Sequence, residues 1–497
     1  MAMNSIQLGK FLGWFSLGLG LAEMAAPRRL TRGLGLPVPP AVVRLFGMRE
    51  VGAGLAVLTY PGSPGPVWAR VGGDALDLVV LAATLGQGGR RQRNRALLST
   101  MAVLGVTALD IACAAALTRR QTRAAQTARR TRIRQSVRYV PYADGVETPA
   151  ADEAEVIGSI IQAMTKESQT AAARDGKTVR ASHAKSTGLL KGALRVLDGL
   201  PPALAQGLFA KPGTHPVVVR LAQGPGEVLS DSVSTHRGMA IKVFGVDGPK
   251  LPGHEGNDTQ DFVLATGTAF AQSSASTFLV AMKGLEKSTP LPELAKQVVS
   301  TASRAANTVV RAVGGDSPTL SFFGHTKRNP LADTYFSQAA IRYGDYVAKV
   351  GVFPVSPDLV AMVDQTLDTG ADHDAFRTAV VTHMQAHGAE FELRVQLCTD
   401  LERMPVEDAS VPWPEDESPY VAVARLTLPQ QDAYSPARQA FFDDVLSFQP
   451  AHALQVHRPL GSLMRARLAT YQALSAYRHE QNHQKQVEPS GVDQVPD

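Results

Sequence analysis

The chain has 497 residues, 44% hydrophobic and 19% charged, a length that exceeds one ordinary core and predicts two or three domains. Its only cysteines are Cys113, inside an apolar segment, and Cys398, which excludes a disulfide framework and suits a reducing compartment. The net charge of +5 conceals an asymmetry, because residues 1–140 carry 19 Lys plus Arg against 5 Asp plus Glu. Apolar stretches interleave with these arginines and no aromatic-basic alternation accompanies them. That pattern points to a membrane surface and not to nucleic acid.

Four apolar stretches open the chain, at about 8–26, 43–60, 73–87 and 97–118. The last has the roughly 20 residues that a bilayer crossing takes. Pro27-Arg28-Arg29 follows the first where a small-residue cleavage site would stand, so that stretch reads as an uncleaved anchor. Glu23, Glu50, Asp74, Asp77 and Asp110 punctuate the stretches, with Arg49 and Arg70 nearby. Inside a membrane such groups face a bundle interior, where they pair with one another or serve an ion path or a lipid headgroup. Arg90, Arg91, Arg93 and Arg95 precede the fourth stretch, and a longer run from Arg119 to Arg134 follows it. The longer run places the remainder of the chain on the cytoplasmic side of a bacterial inner membrane, with the run on anionic lipid. Residues 1–118 are thus predicted to be an all-α membrane-anchor domain of three or four helices, similar to small bacterial membrane modules. Residues 119–150 read as a basic linker ending in Pro141-Tyr142-Ala143-Asp144-Gly145.

Residues 151–481 have a different character. Val156, Ile160, Ile161 and Met164 mark an amphipathic helix over 152–173. Val179-Arg180-Ala181-Ser182-His183-Ala184-Lys185 then sets an Arg three residues before a His. Strand-like runs follow at 217–221, 240–244, 261–264, 346–353, 390–396 and 420–426, with helical stretches at 275–286 and 290–312. Short non-consecutive strands with inserted helices predict an α+β antiparallel barrel with helices packed outside it. Near the end, Arg467, Tyr471 and Arg478 lie at offsets of four and seven, on one stripe of a helix. A Tyr flanked by cations suits a phenolate, which is an axial ligand to haem iron, and a His from elsewhere can serve the opposite face. Tyr477 is the rival on the same helix, but no Arg stands four residues before it. The polar tail, 482–497, is predicted to be disordered.

These segments resemble the haem catalases. In that family an Arg-x-x-His segment supplies the distal His, and an Arg-x-x-x-Tyr segment the proximal ligand. A further Arg seven residues on from that first Arg's Tyr binds a haem propionate. Val219-Arg220 sits where the family has a Val-Arg whose Arg also binds propionate. The run from His236 to Phe244 looks like its Pro-Arg-Gly-Phe-Ala-Val-Lys-Phe-Tyr, and Gly256-Asn257-Asp258-Thr259 like its Gly-Asn-Asn-Thr. The resemblance covers roughly residues 176–480. It implies a catalase-like barrel with C-terminal helices and haem b with ferric iron. It also implies a hydroperoxide substrate and leaves an oligomer open. By the same resemblance His183 is the distal acid–base group and Asn257 the distal amide. Tyr471 is the iron ligand, with Arg467 favouring its anion. Arg180, Arg220 and Arg478 pair with the propionates, and Phe270 lies against the porphyrin.

The chain departs from the family at two positions beside the His. Ala222 stands where catalases have a Ser that hydrogen-bonds the distal His, and Ser182 where they have Val. A hydroxyl at 182 resembles the allene oxide synthase branch, whose Thr-bearing members act on fatty-acid hydroperoxides. Two readings therefore stand: a membrane-associated haem enzyme acting on hydrogen peroxide or lipid hydroperoxides, and a non-catalytic haem-binding or sensing module on a membrane anchor.

Overall fold

The computed structural model describes residues 5–29, 40–60, 62–84, 103, 105–118, 138–288, 293–312 and 317–497. The chain divides into two compact units, Met1–Gln135 with Val298–Gly324, and Ser136–Gln297 with His325–Asp497.

The first unit is helical, with helices Ser5–Ala25, Pro40–Thr59 and Pro64–Thr84 and a further helical segment over 105–118. The first two approach at backbone distance. A Cβ on Gly20 would meet the Gly47 carbonyl oxygen at 2.5 Å, and one on Gly47 would meet that of Gly20 at 2.6 Å. Leu12, Val57, Trp68, Val71 and Leu117 form its core together with Ala306 and Leu320. Those last two residues explain why 298–324 belongs to this unit, so 151–481 is not one continuous domain.

Two acidic residues of the apolar stretches, Glu50 and Asp110, are paired inside the bundle. Arg70 reaches Glu50 at 3.2 Å and Asp110 at 2.9 Å, Arg49 reaches Glu50 at 2.7 Å, and the Ser16 hydroxyl donates to Glu50 at 2.6 Å. Among the described residues no helix is long and apolar enough to cross a membrane, so they lend the membrane-domain reading of 1–118 no support. The buried Glu50, Arg70 and Asp110 interrupt the apolar windows. Residues 97–102, the Arg90–Arg95 cluster and the Arg119–Arg134 run lie outside the described residues.

The second unit is built on a sheet ordered β5-β4-β3-β2-β1-β9-β8-β7-β6, antiparallel throughout, in which β5 also pairs with β7. That extra pairing closes eight strands into a barrel and leaves β6 (Ile341–Tyr343) outside the ring. The other strands are β1 (Ser186–Val196), β2 (Gly213–Gln223), β3 (Arg237–Val243), β4 (Gln260–Thr266), β5 (Tyr335–Phe336), β7 (Tyr346–Pro354), β8 (Ala389–Leu397) and β9 (Val421–Leu428). The two-residue period of a strand assigns the faces. Val217, Val219, Leu221, Met239, Ile241, Val243, Phe262 and Leu264 join the main core. The alternate positions, among them Arg220, Ala222, Gly238, Ala240 and Val263, face away from it.

Two segments differ from expectation. The end of the predicted linker is folded: Val140 N–H donates to the Cys398 carbonyl at 2.8 Å and Tyr142 N–H to that of Asp345 at 2.7 Å. The tail expected to be disordered is packed. Val495 is buried against Phe442, Leu446 and Phe448, and the Arg438 guanidinium donates to the Pro496 carbonyl at 3.1 Å. Val495 on an apolar cluster, together with such hydrogen bonds, docks an otherwise polar tail.

One buried histidine makes the unit acid-sensitive. His457 Nε2 accepts from Leu208 N–H at 3.0 Å, and its ring lies 5.7 Å from Phe209 and 5.3 Å from Tyr343. Burial pushes its pKa down to about 4 from an ordinary 6.5. The unfolded chain therefore binds this proton first, so its contribution is complete above pH 6.5 and is lost as pH falls toward 4. At about 1.4 kcal/mol per unit this amounts to about 3 kcal/mol. Urea titrations at pH 7 and pH 4 are expected to show a smaller acid loss in His457→Gln than in the wild type. Equal losses would mean that other groups set the acid limit.

Candidate functional site

A cavity open to solvent lies against the outward face of β2, β3 and β4. Its wall is the run of small side chains that the strand period exposes. Ala222 stands opposite Gly238, and Arg220, Ala240 and Val263 follow one another across the three strands. Apart from Arg220, such a wall is smooth and apolar. The C-terminal helix Ser462–Gln481 supplies Thr470, Tyr471, Leu474, Ser475 and Arg478, and the helix Glu153–Asp175 supplies Met164. These two helices pack through Ile160, Ala163, Met164, Ala466 and Leu474. The first turn of the C-terminal helix is pinned by Arg465, which reaches Glu153 at 2.6 Å, Glu147 at 2.7 Å and Glu407 at 2.9 Å.

His183 lines the cavity with a φ of 55°, the left-handed region that non-glycine residues seldom adopt. Its backbone is held on both sides: its N–H donates to the Gly224 carbonyl at 2.9 Å, and its own carbonyl accepts from Arg220 Nη2 at 2.8 Å. The ring meets His236 edge-on with centroids 5.4 Å apart. Gly238 gives it room, because a Cβ there would stand 2.7 Å from the imidazole. Burial first, then His236, Arg220 and Arg467, push its pKa well below the usual histidine value, so the ring is neutral at neutral pH. Nδ1 is shielded from solvent and has no hydrogen-bond partner. Ala222, at the cavity wall, offers it no hydroxyl.

Tyr471 also lines the cavity, and Arg467, one helical turn earlier, donates from Nη2 to its hydroxyl at 3.0 Å. Arg180, Arg220 and Arg478 border the same cavity. Burial, reinforced by the neighbouring arginines, lowers Arg220 and Arg478 to about 9, and both remain cations at neutral pH. Asp443 accepts from Arg180 at 2.8 Å and from Arg220 at 3.3 Å. Burial raises its pKa, but Arg220 and Arg180 outweigh that and hold it below the usual carboxylate value.

Several buried polar atoms around this cavity have no partner: Arg220 Nε, Arg478 Nη1, Gln449 Oε1, Thr470 Oγ1 and Ser475 Oγ, besides His183 Nδ1. Unpaired buried groups cost free energy and are uncommon, so their concentration here marks a ligand cavity. A smooth apolar wall, a Tyr beside a cation, and buried guanidinium groups fit a planar macrocycle carrying an iron and two carboxylates.

The cavity brings together five of the expected residues, Arg180, His183, Arg220, Tyr471 and Arg478. Arg467 stands behind Tyr471. Asn257 is not among the lining residues. It lies in the loop before β4, its N–H donating to the His254 carbonyl at 3.0 Å. The amide at the cavity is Gln449, whose backbone N–H donates to buried Asp261 at 3.0 Å. Phe270 does not line the cavity either. It packs against the cluster of Leu463 and Met464, with the Arg467 guanidinium 5.7 Å from its ring. The Tyr477 rival is likewise absent from the lining. Leu474 and Ser475 could have been found by extending the Tyr471 stripe by one turn. Asp443 and Gln449 carry no local sequence signal.

No protein-family model matches the chain, and no curated protein does. Similar solved structures include a fungal catalase, at 17% identity and a TM-score of 0.45, covering 63% of this chain and 62% of that one. Catalase A from Saccharomyces cerevisiae has 16% identity and a TM-score of 0.42, covering 63% and 64%. A bacterial catalase has 14% identity and a TM-score of 0.43, covering 70% and 66%. The chain thus spans less than two thirds of the length of each of these three.

Proposed function

We propose that this protein binds haem b and acts on hydroperoxides as a catalase- or peroxidase-type oxidoreductase. One observation carries the reading: a single cavity collects a neutral histidine, a tyrosine bonded to an arginine, and three arginine side chains. Tyr471 would hold the iron through the oxygen to which Arg467 donates. Arg478 and Arg220, which have unpaired donor atoms, would take the carboxylates. When bound, haem supplies the redox centre for cleaving an O–O bond. His183 takes a proton from one peroxide oxygen and returns it to the other, so that the departing oxygen leaves as water or as an alcohol. Hydrogen peroxide and organic hydroperoxides share this requirement.

The unpartnered Nδ1 favours a second reading, in which the same cavity holds haem without turnover. Titration of the purified protein with ferric haem, followed optically, is expected to saturate at one haem per chain. Oxygen release from hydrogen peroxide and consumption of a fatty-acid hydroperoxide then separate the substrates. Stoichiometric binding with neither activity would select the non-catalytic reading, and no binding would reject both.

A further inference from the structure

Phe441–Val445 forms a single π-helical turn, a rare element that requires specific support. Its support is a set of charged contacts with the segment that carries His183. Asp444 pairs with Lys177 at 2.7 Å. Asp443 Oδ1 accepts from Arg180 at 2.8 Å, from Arg220 at 3.3 Å and from the Ser186 hydroxyl at 3.3 Å. Arg180 spends its other terminal nitrogen on the carbonyls of Phe442 and Leu446. Its fork is therefore committed to the turn, and it is a buttress more than a free ligand for an anion. Arg220 uses one nitrogen, Nη2, for both Asp443 and the His183 carbonyl.

A continuous path thus runs from Asp443 through Arg220 to the backbone of His183. That backbone sits at a φ of 55°, which the chain does not hold without outside contacts. The imidazole has no hydrogen bond at Nδ1 to orient it, so its placement depends on the backbone and on ring packing against His236 and Gly238. The charges add a second consequence. Asp443 contacts two of the three arginines at the cavity, and a ligand with two carboxylates brings two more anions to the same cations.

Resting on the haem reading above, we propose that Asp443 is a positioning residue for His183, acting through Arg220 and Arg180, and that it competes with the ligand's carboxylates for Arg220. It fixes the imidazole at the expense of some affinity for an anionic ligand.

The test compares ferric haem with haem dimethyl ester, whose carboxylates are blocked, in optical titrations of the full chain. Asp443→Asn removes the charge at constant size. Its preference for the diacid over the diester is expected to rise by about tenfold, which corresponds to about 1.4 kcal/mol. Its peroxide consumption per bound haem is expected to fall by about tenfold, in kcat and not in KM. Asp443→Glu keeps the charge and moves it, so it should keep the wild-type preference and still lose turnover. This second variant also serves if Asp443→Asn does not fold. An unchanged preference and unchanged turnover in folded Asp443→Asn, or wild-type turnover in Asp443→Glu, would overturn the proposal. A wild type that binds diacid and diester equally would overturn the competition. A wild type that binds neither would instead remove the haem reading on which it rests.

Discussion

His183→Ala is expected to keep its haem and to lose peroxide consumption by at least about 100-fold, the usual scale for a positioned acid–base group. The substitution removes the neutral ring that faces the cavity but none of the groups that hold the iron side or the carboxylates. Arg220 still has a carbonyl at 183 to bind, since that contact is to the backbone. Binding and turnover should therefore separate, and oxygen release per bound haem reads the difference. The pH profile supplies an independent check. Burial, His236, Arg220 and Arg467 hold the imidazole well below its ordinary pKa of 6.5. A base with a depressed pKa stays competent as pH falls through 6.5, so wild-type turnover should not decline there on account of this residue. A variant that turns over at the wild-type rate would mean that another group moves the proton.

What the sequence makes legible here follows from periodicity. Tyr471 and its arginines are spaced as one face of a helix, and the Arg467–Tyr471 hydrogen bond is the expected i, i+4 contact. Alternating Val, Ile and Phe reveal β2, β3 and β4, and the same alternation tells which residues face the cavity. β1 escapes this reading because Leu, Ala and Lys with Gly188 and Gly192 carry no strand preference. Packing decides it: a Cβ on Gly192 would stand 2.4 Å from the Thr427 carbonyl oxygen of the neighbouring strand. Asp443 meets Arg180 across 263 residues and from a π-helical turn, so no local pattern announces it. In the N-terminal stretches, helices rich in apolar residues on every side read as membrane spans, and the pairing expected of their charged groups is made by Arg70 with Glu50 and Asp110.

Tyr471→Phe should abolish the high-spin ferric, tyrosinate-type haem spectrum, whereas Tyr477→Phe should retain it. The pair of variants isolates one oxygen atom. Phe keeps the ring, and with it the packing of the C-terminal helix against the cavity. The hydrogen bond lost is that from Arg467, a partly buried contact whose net worth is about 1 kcal/mol. Unfolding is thus not the expected outcome, and circular dichroism of the haem-free variant should match the wild type. Loss of an anionic iron ligand acts differently, because the spectrum reports the atom bound to the metal and not the fold around it. The Arg467 guanidinium would then face a ring with no oxygen to stabilise, so Arg467→Ala in the Tyr471→Phe background should change the spectrum no further. In the wild-type background Arg467→Ala should shift it, because the phenolate loses its neighbouring cation. An unchanged spectrum in Tyr471→Phe would transfer the axial role to another lining residue, among which His183, Met164 and Met239 carry metal-binding atoms.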